Sequence, residues 1–195
     1  MMQENAYLRS LSGKTLGVYF NAYRSKVNIL LLDIFAMSDK YFSQAYDGGG
    51  EENLTFNGTY CNVGGGLDPD TGIFTCPTGG TYLFMFHIAT HDNKKALLSI
   101  RKNGEEIASI FDQNHKDNHK NSMAGENVFL VKISDDVIKI FAAGQTIIME
   151  CVRGDEVVVY AYTGTWLADF PMNHYTHWVG LLLKPNMEEV NNTTQ

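Results

Sequence analysis

The chain has 195 residues, with 15 Lys and Arg against 22 Asp and Glu, so its formal net charge at pH 7 is −7. This length suits a single domain that buries a core without metals or many disulfides. No basic stripe or arginine-rich tract is present, which argues against a nucleic-acid partner. The longest apolar run, Val27 to Met37, is interrupted by Asn28 and Asp33 and is too short to span a bilayer.

The first predicted strand lies in the segment GVYFNAY, which begins at Gly17. Residues 1–16 precede it as an N-terminal tail, and they lack the apolar core of a secretory signal. The segment from Val27 to Tyr46 fits either an amphipathic helix or a long insertion loop, and both interpretations stay open.

A glycine-rich passage then leads into a second strand. Gly64 to Gly66 and the Asp68–Pro69 step are typical of turns, because glycine adopts positive φ at no steric cost. From Thr81 onwards large side chains alternate between two faces. One face carries Tyr82, Phe84, Phe86 and Ile88, and the other carries Leu83, Met85 and His87. A strand that is apolar on both faces is typical of a packed sheet.

The remaining elements also read as strands. KALLSIRKNGEEIASIF is predicted to be a hairpin that turns at Asn103–Gly104, the strongest short hairpin signal. GENVFLVKIS and QTIIMECVRGDEVVVYAYTG give further strands, and the second turns at Arg153 to Asp155. In the last strand, His177 to Lys184, one face carries Trp178, Gly180 and Leu182, and the other carries Val179, Leu181 and Leu183. The pattern predicts an all-β, antiparallel sandwich or barrel.

Several motifs in this order resemble the globular head domain of complement component 1q. They are Phe56, Asn62, Gly64, Asp68, Thr71–Gly72, Phe74 to Pro77, Gly80, Tyr82, Phe84, Phe86, Leu98, Asn103–Gly104, Gly154 to Val157, Tyr175–Thr176 and Gly180 to Leu182. The resemblance implies a two-sheet jelly roll, shared with tumour necrosis factor, over residues 17–185. It places insertions near 27–52 and 113–140, and it leaves 186–195 as a C-terminal tail.

The resemblance also implies a function. It points to a homotrimeric, secreted and non-enzymatic module that recognises a protein or glycan partner, for example in innate immunity. The alternative is a trimeric signalling ligand, of the tumour necrosis factor or cerebellin type, that engages a cell-surface receptor. The predicted trimer interface is the second face of the strand that begins at Thr81 and of the last strand, with Leu83, Met85, Val179 and Leu181.

Three cysteines are too few for a disulfide scaffold and have no metal-ligand spacing, so they could be buried thiols, or one bridge plus one thiol. Cys61 and Cys76 lie nearly symmetrically about Asp68–Pro69, so a hairpin folded there would allow them to form a disulfide, with Cys151 left as a buried thiol. Glycosylation sequons occur at Asn53, Asn57, Asn191 and Asn192, and they give weak support for secretion.

Ordinary structural roles explain a tripeptide motif and two histidine pairs better than binding roles do. Arg153-Gly154-Asp155 spells an integrin-binding tripeptide, but a turn explains it better. His87 and His91 are four residues apart on a strand, roughly 13 Å and too far for one metal ion. His115 and His119 lie in a polar segment, where a solvated surface is the better interpretation.

No cofactor is predicted from the residues, and no metal ligand set is identified. The resemblance implies calcium as the one candidate, since some family members hold it through surface oxygens. The available carboxylates have no spacing typical of a dedicated calcium loop. They are Asp68, Asp70, Asp112 and Asp117. No nucleophile motif is present, so an enzyme is not predicted.

Overall fold

The computed structural model describes residues 17–24, 51–91, 95–113, 127–133, 136–167 and 174–186. All regular secondary structure in these ranges is β-strand, and no helix lies within them. Residues 25–50, which hold most of the first predicted insertion, and both predicted tails fall outside the described residues, apart from Asn186.

Twelve strands lie in the described ranges. The first six are β1 (Tyr19–Arg24), β2 (Glu52–Asn53), β3 (Gly58–Val63), β4 (Leu67–Asp68), β5 (Ile73–Thr75) and β6 (Gly80–His91). The others are β7 (Lys95–Lys102), β8 (Glu105–Gln113), β9 (Asn127–Ile133), β10 (Asp136–Cys151), β11 (Glu156–Ala161) and β12 (Thr176–Pro185).

The strands form two antiparallel sheets. Sheet A has the order β3-β1-β12-β6-β10-β9, and sheet B has the order β4-β5-β11-β7-β8, with β2 also paired to β11. The predicted all-β, two-sheet jelly-roll sandwich is confirmed. The two strands with apolar side chains on both faces, β6 and β12, are neighbours in the middle of sheet A.

The core is an aromatic cluster between the sheets. Phe20 of β1 packs edge-on against Trp178 of β12, with ring centroids 4.8 Å apart. Phe74 of sheet B meets Phe20 at 5.1 Å and Phe84 at 5.5 Å, and so joins the two sheets. The face of β6 predicted to be buried, from Tyr82 to Ile88, is buried throughout. Aromatic pairs of this kind add about 0.5–1.5 kcal/mol each beyond the burial of their area.

Close packing requires a glycine at position 180. A Cβ placed there would lie 2.2 Å from Cε1 of Phe20, in the fully buried core. The strand β12 therefore presents bare backbone to the Phe20 ring, which explains why a glycine interrupts an otherwise large and apolar strand.

The described part of the second predicted insertion, residues 113–140, includes strand. Within it, β9 pairs with residues 136–142 of β10 and forms the edge of sheet A, while β10 pairs with β6 from Ile140 to Cys151. The predicted strands in GENVFLVKIS and QTIIMECV are present as β9 and part of β10, and β10 leads into the Gly154 turn.

Candidate binding surface

The side of sheet A that faces away from the core carries a row of apolar side chains. Strand register places Tyr19, Leu181, Leu83 and Ile148 opposite one another across β1, β12, β6 and β10. Their sequence neighbours Phe20, Tyr82 and Phe84 are buried in the core, so by alternation these four side chains point outwards. Leu181 is 37% exposed and Ile148 is 60% exposed.

A second row crosses the same face one step along the strands. It contains the cross-strand pair Met85 and Val179, flanked by Asn21 and Thr146. The four residues predicted for a trimer interface, Leu83, Met85, Val179 and Leu181, therefore lie together at the centre of the outer face of sheet A. The structure shows this placement in one subunit; the interface itself stays a prediction.

Exposed apolar groups concentrate on this sheet. Among the described residues, seven large apolar side chains are exposed, and five of them belong to strands of sheet A. These five are Tyr19, Tyr60, Ile148, Leu181 and Leu183. Contiguous apolar exposure on a folded domain marks an interaction surface.

A cluster of aromatic and histidine side chains borders the apolar rows. We call Tyr23, Tyr60, His174 and His177 the aromatic–histidine cluster. The His174 ring stacks on Tyr23 at a centroid distance of 3.9 Å, and its Nδ1 lies 2.7 Å from the Tyr60 hydroxyl. The His177 ring stacks on Tyr60 at 6.0 Å.

The surroundings of His177 favour its neutral imidazole and lower its pKa. Burial is the main cause that lowers the pKa of His177, and repulsion from His174 and His87 lowers it further. The Nδ1 atom of His177 lies 3.3 Å from the Asn21 side-chain oxygen. His174 adopts φ of 44°, a left-handed conformation that is uncommon outside glycine, and the contacts with Tyr23 and Tyr60 hold it there.

His87 faces the same surface. Its ring covers Gly144 of β10, where a Cβ would lie 2.4 Å from the His87 Cδ2 atom. The strand partner of His87 on the other side is His177. In the part of the chain that the structure describes, no three His, Cys, Asp or Glu side chains are grouped so as to hold a metal ion. His115 and His119 lie outside the described residues.

The outer face of sheet B is different in character. The Arg101 guanidinium lies 3.6 Å above the Tyr160 ring and donates to the Tyr162 hydroxyl at 2.9 Å. Tyr162 in turn donates to Glu106, and Tyr160 donates to Glu51. Charged and hydroxyl groups thus pair with one another on this face, in contrast to the apolar rows of sheet A.

The Arg153-Gly154-Asp155 tripeptide forms a turn, as predicted. Gly154 has φ of 91°, and the Asp155 amide donates to the Val152 carbonyl at 3.0 Å. Asp155 is 8% exposed, and its carboxylate accepts hydrogen bonds from Asn103 and from the Val152 amide. The carboxylate that an integrin would need is therefore already occupied inside the protein.

The cysteine prediction requires a correction. No disulfide joins the three cysteines in this structure, and the cysteine whose thiol interacts with Cys76 is Cys151 rather than Cys61. A short hairpin does form there, since β4 pairs with β5, but both strands belong to sheet B, whereas β3, which holds Cys61, belongs to sheet A. Gly64 and Gly65, both with positive φ, lie where the chain passes from one sheet to the other.

The remaining predicted residues are placed as follows. Asn57 is exposed and lies between β2 and β3, whereas Asn53 is half-buried within β2. Asn191 and Asn192 are outside the described residues. Of the calcium candidates, the Asp68 carboxylate accepts a hydrogen bond from the Asp70 amide, and the side chains of Asp112 and Asp117 are not described.

Some surface residues escaped prediction. Ile148 follows Ile147 directly, so the apolar pattern there did not show which of the two faces outwards. Tyr60 and His174 are 114 positions apart in the chain, and no local pattern connects them.

Comparison with known proteins identifies the family of this chain. A model of the C1q domain matches residues 41–149, which is more than half of the chain. The chain belongs to the C1q domain family. Strands β11 and β12 lie beyond the matched range, yet β12 sits in the middle of sheet A, so the C1q domain of this protein extends past residue 149.

Solved structures have the same fold. The globular domain of zebrafish complement 1qA protein matches with a TM-score of 0.55 at 17% sequence identity, over 87% of this chain and 99% of that chain. Murine APRIL at pH 5.0 matches with a TM-score of 0.51 at 12% identity, over 86% and 99%. At these identities the likeness establishes the fold alone. The described part of this C1q domain contains no helix long and apolar enough to cross a membrane.

Proposed function

We propose that this protein is a homotrimeric, extracellular C1q-domain module that recognises a protein or glycan partner and catalyses no reaction. The observation that carries the proposal is the apolar outer face of sheet A, with Leu83, Met85, Val179 and Leu181 at its centre. A single sandwich covers one face of each sheet, so apolar groups on the other face need a partner.

Self-association would supply that partner. The outer face of sheet A meets a neighbouring subunit, and the polar outer face of sheet B stays in solvent. Obligate interfaces of this apolar kind bury roughly 2,000 Å² or more. Three subunits would also present three copies of each ligand-binding loop, and avidity would then raise the apparent affinity for a multivalent surface.

A matched pair of variants tests the trimer. Leu181 on sheet A and Ile107 on sheet B are both 37% exposed in the single subunit. Leu181→Glu places a charge on the proposed interface, whereas Ile107→Glu places the same charge on the other sheet. Light scattering should give three times 21.8 kDa for the unmodified chain and for Ile107→Glu. Leu181→Glu should give monomer or aggregate.

An unmodified chain that scatters as a monomer at micromolar concentration would overturn the trimer. Equal behaviour of the two variants would remove sheet A as the interface.

Recognition needs a separate experiment. The trimer and the Leu181→Glu monomer are applied in parallel to a glycan and microbial-surface array and to a panel of cell-surface receptors, each with calcium and with a chelator. Binding by the trimer that weakens in the monomer supports an avid recognition module. Binding to a receptor alone would instead favour a signalling ligand, and binding to neither array would contradict recognition. The chelator arm tests the calcium that the resemblance implies.

A further inference from the structure

Two buried cysteines meet where the two sheets come together. Cys76 directly follows β5 of sheet B, and Cys151 is the last residue of β10 in sheet A. Their side chains are 1% and 2% exposed. Backbone hydrogen bonds hold the Cys76 segment in place, because its amide donates to the Asp155 carbonyl at 2.8 Å and its carbonyl accepts from the Gly154 amide at 2.9 Å.

The strand pairing brings the two side chains together, since Cys151 pairs with Gly80, four residues after Cys76, and the turn that follows Cys151 is hydrogen-bonded to Cys76. The Cys151 thiol hydrogen-bonds to the Cys76 sulfur, and this contact is the main reason that the pKa of Cys76 falls to about 7, against the opposing effect of burial. The same contact, with burial, raises the pKa of Cys151. Cys76 also lies 3.0 Å from the Thr78 carbonyl oxygen, which further restrains its position.

We propose that Cys76 and Cys151 form a disulfide that joins sheet A to sheet B, made during folding by exchange with a low-molecular-weight disulfide such as oxidised glutathione. Two thiols that already interact need only a small movement to reach bonding distance. Cys61, on β3 of sheet A and only half-buried, stays a free thiol.

The exchange balances in two steps. The Cys76 thiolate attacks one sulfur of the small disulfide, whose S–S bond breaks to release one small thiolate and leave a mixed disulfide on Cys76. Cys151 then gives its proton to solvent and attacks the Cys76 sulfur, which expels the second small thiol. The protein loses two hydrogen atoms, and the small disulfide is reduced to two thiols. Because both sulfurs are buried in the folded domain, the reaction belongs to the folding stage.

Peptide mapping after oxidative refolding tests the bond. The full chain is unfolded with reductant and refolded in a mixture of reduced and oxidised glutathione, then unfolded again while free thiols are alkylated. We expect the peptides of Cys76 and Cys151 to be linked and Cys61 to be alkylated. Three alkylated cysteines, or a bridge that includes Cys61, would overturn the proposal.

A cysteine variant supplies the control. Cys61→Ser should form the same bridge and show the mass loss of two hydrogen atoms, whereas Cys76→Ser and Cys151→Ser should show none. If those two variants fold poorly, a second measurement compares the thermal transitions of the oxidised and reduced forms of Cys61→Ser. A bond that closes a loop of about 75 residues and links the sheets should raise the thermal transition by about 10 °C over the reduced form. Equal transitions in the two forms would contradict a link between the sheets.

Discussion

Leu83 of β6 and Leu181 of β12 lie directly opposite each other, and both side chains point away from the core. Tyr19 and Ile148 extend this pair into a row across four strands. The central strands of sheet A thus present large apolar groups to both sides, the inner side packed by Phe74 of sheet B and the outer side open in the single subunit. This relationship is the basis of the proposed trimer.

The contact of Gly180 with Phe20 predicts a destabilising substitution. Gly180→Ala places a methyl group where the Phe20 ring lies, so we expect the free energy of unfolding to fall by about 1–3 kcal/mol. Denaturant unfolding measures the change. Adding Phe20→Leu should recover part of the loss in a double-mutant cycle, and strictly additive effects would contradict a clash between the two positions.

Asp155 lies in the turn at Arg153 to Asp155 and accepts a hydrogen bond from Asn103 of the Asn103–Gly104 turn. Its negative charge should therefore stabilise the fold. Burial acts to raise the pKa of Asp155, but hydrogen bonds from Asn103 and the Val152 amide, together with the charge of Lys102, outweigh it and hold that pKa below its ordinary value. Asp155→Ala should cost about 1–3 kcal/mol at pH 7, because the donors lose their acceptor. The exposed Asp70→Ala is the control and should change stability little.

The pH dependence of this effect follows from the sign of the shift. A lowered carboxyl pKa contributes stability above the unfolded value of about 3.9, and that contribution is lost as pH falls through the folded value. The difference between the unmodified protein and Asp155→Ala should therefore shrink at pH 3. A difference that is the same at pH 3 and pH 7 would show that the carboxylate charge plays no part.

His177 should make the domain sensitive to mild acid. Its pKa in the fold is lowered from about 6.5, chiefly by burial, so the folded protein favours the neutral ring. The contribution of the neutral His177 ring to the free energy of unfolding is fully present above pH 6.5 and is lost as pH falls below that value. The groups that face His177 are Tyr60, His174, His87 and Asn21.

Replacement of His177 by glutamine tests this behaviour. Thermal transitions recorded between pH 8 and pH 5 should fall less steeply for His177→Gln than for the unmodified chain, while the two curves run parallel above pH 7. Identical slopes below pH 6.5 would assign the acid sensitivity to other groups.

Asn57 is the better glycosylation candidate of the two sequons in the described residues. It is exposed between strands, whereas Asn53 is half-buried and pairs with Tyr160 in sheet B. Expressed through a secretory pathway, the protein should carry a glycan on Asn57, and Asn57→Gln should remove it. Mass spectrometry of the glycopeptides is the measurement, with Asn53→Gln as the control; a glycan found on Asn53 alone would reverse the assignment.

The local sequence was enough to predict the strands that carry strong patterns. The alternation of Tyr82, Phe84 and Phe86 with Leu83 and Met85 follows directly from the two-residue period of a strand, and β6 has the predicted faces. The Asn103–Gly104 turn was equally predictable, because both residues adopt positive φ. These features depend on neighbours in the chain, so they can be read without a structure.

The pairing of distant residues was decided by the tertiary structure. Cys61 and Cys76 lie near each other in sequence, but the chain changes sheets between them, and Cys76 meets Cys151 instead. In the same way, β9 joins sheet A although it lies in an apparent insertion, and Tyr60 reaches His174 across the fold. Periodicity determines which face of a strand is apolar. Which sheet receives that strand depends on long-range packing, which no local pattern contains.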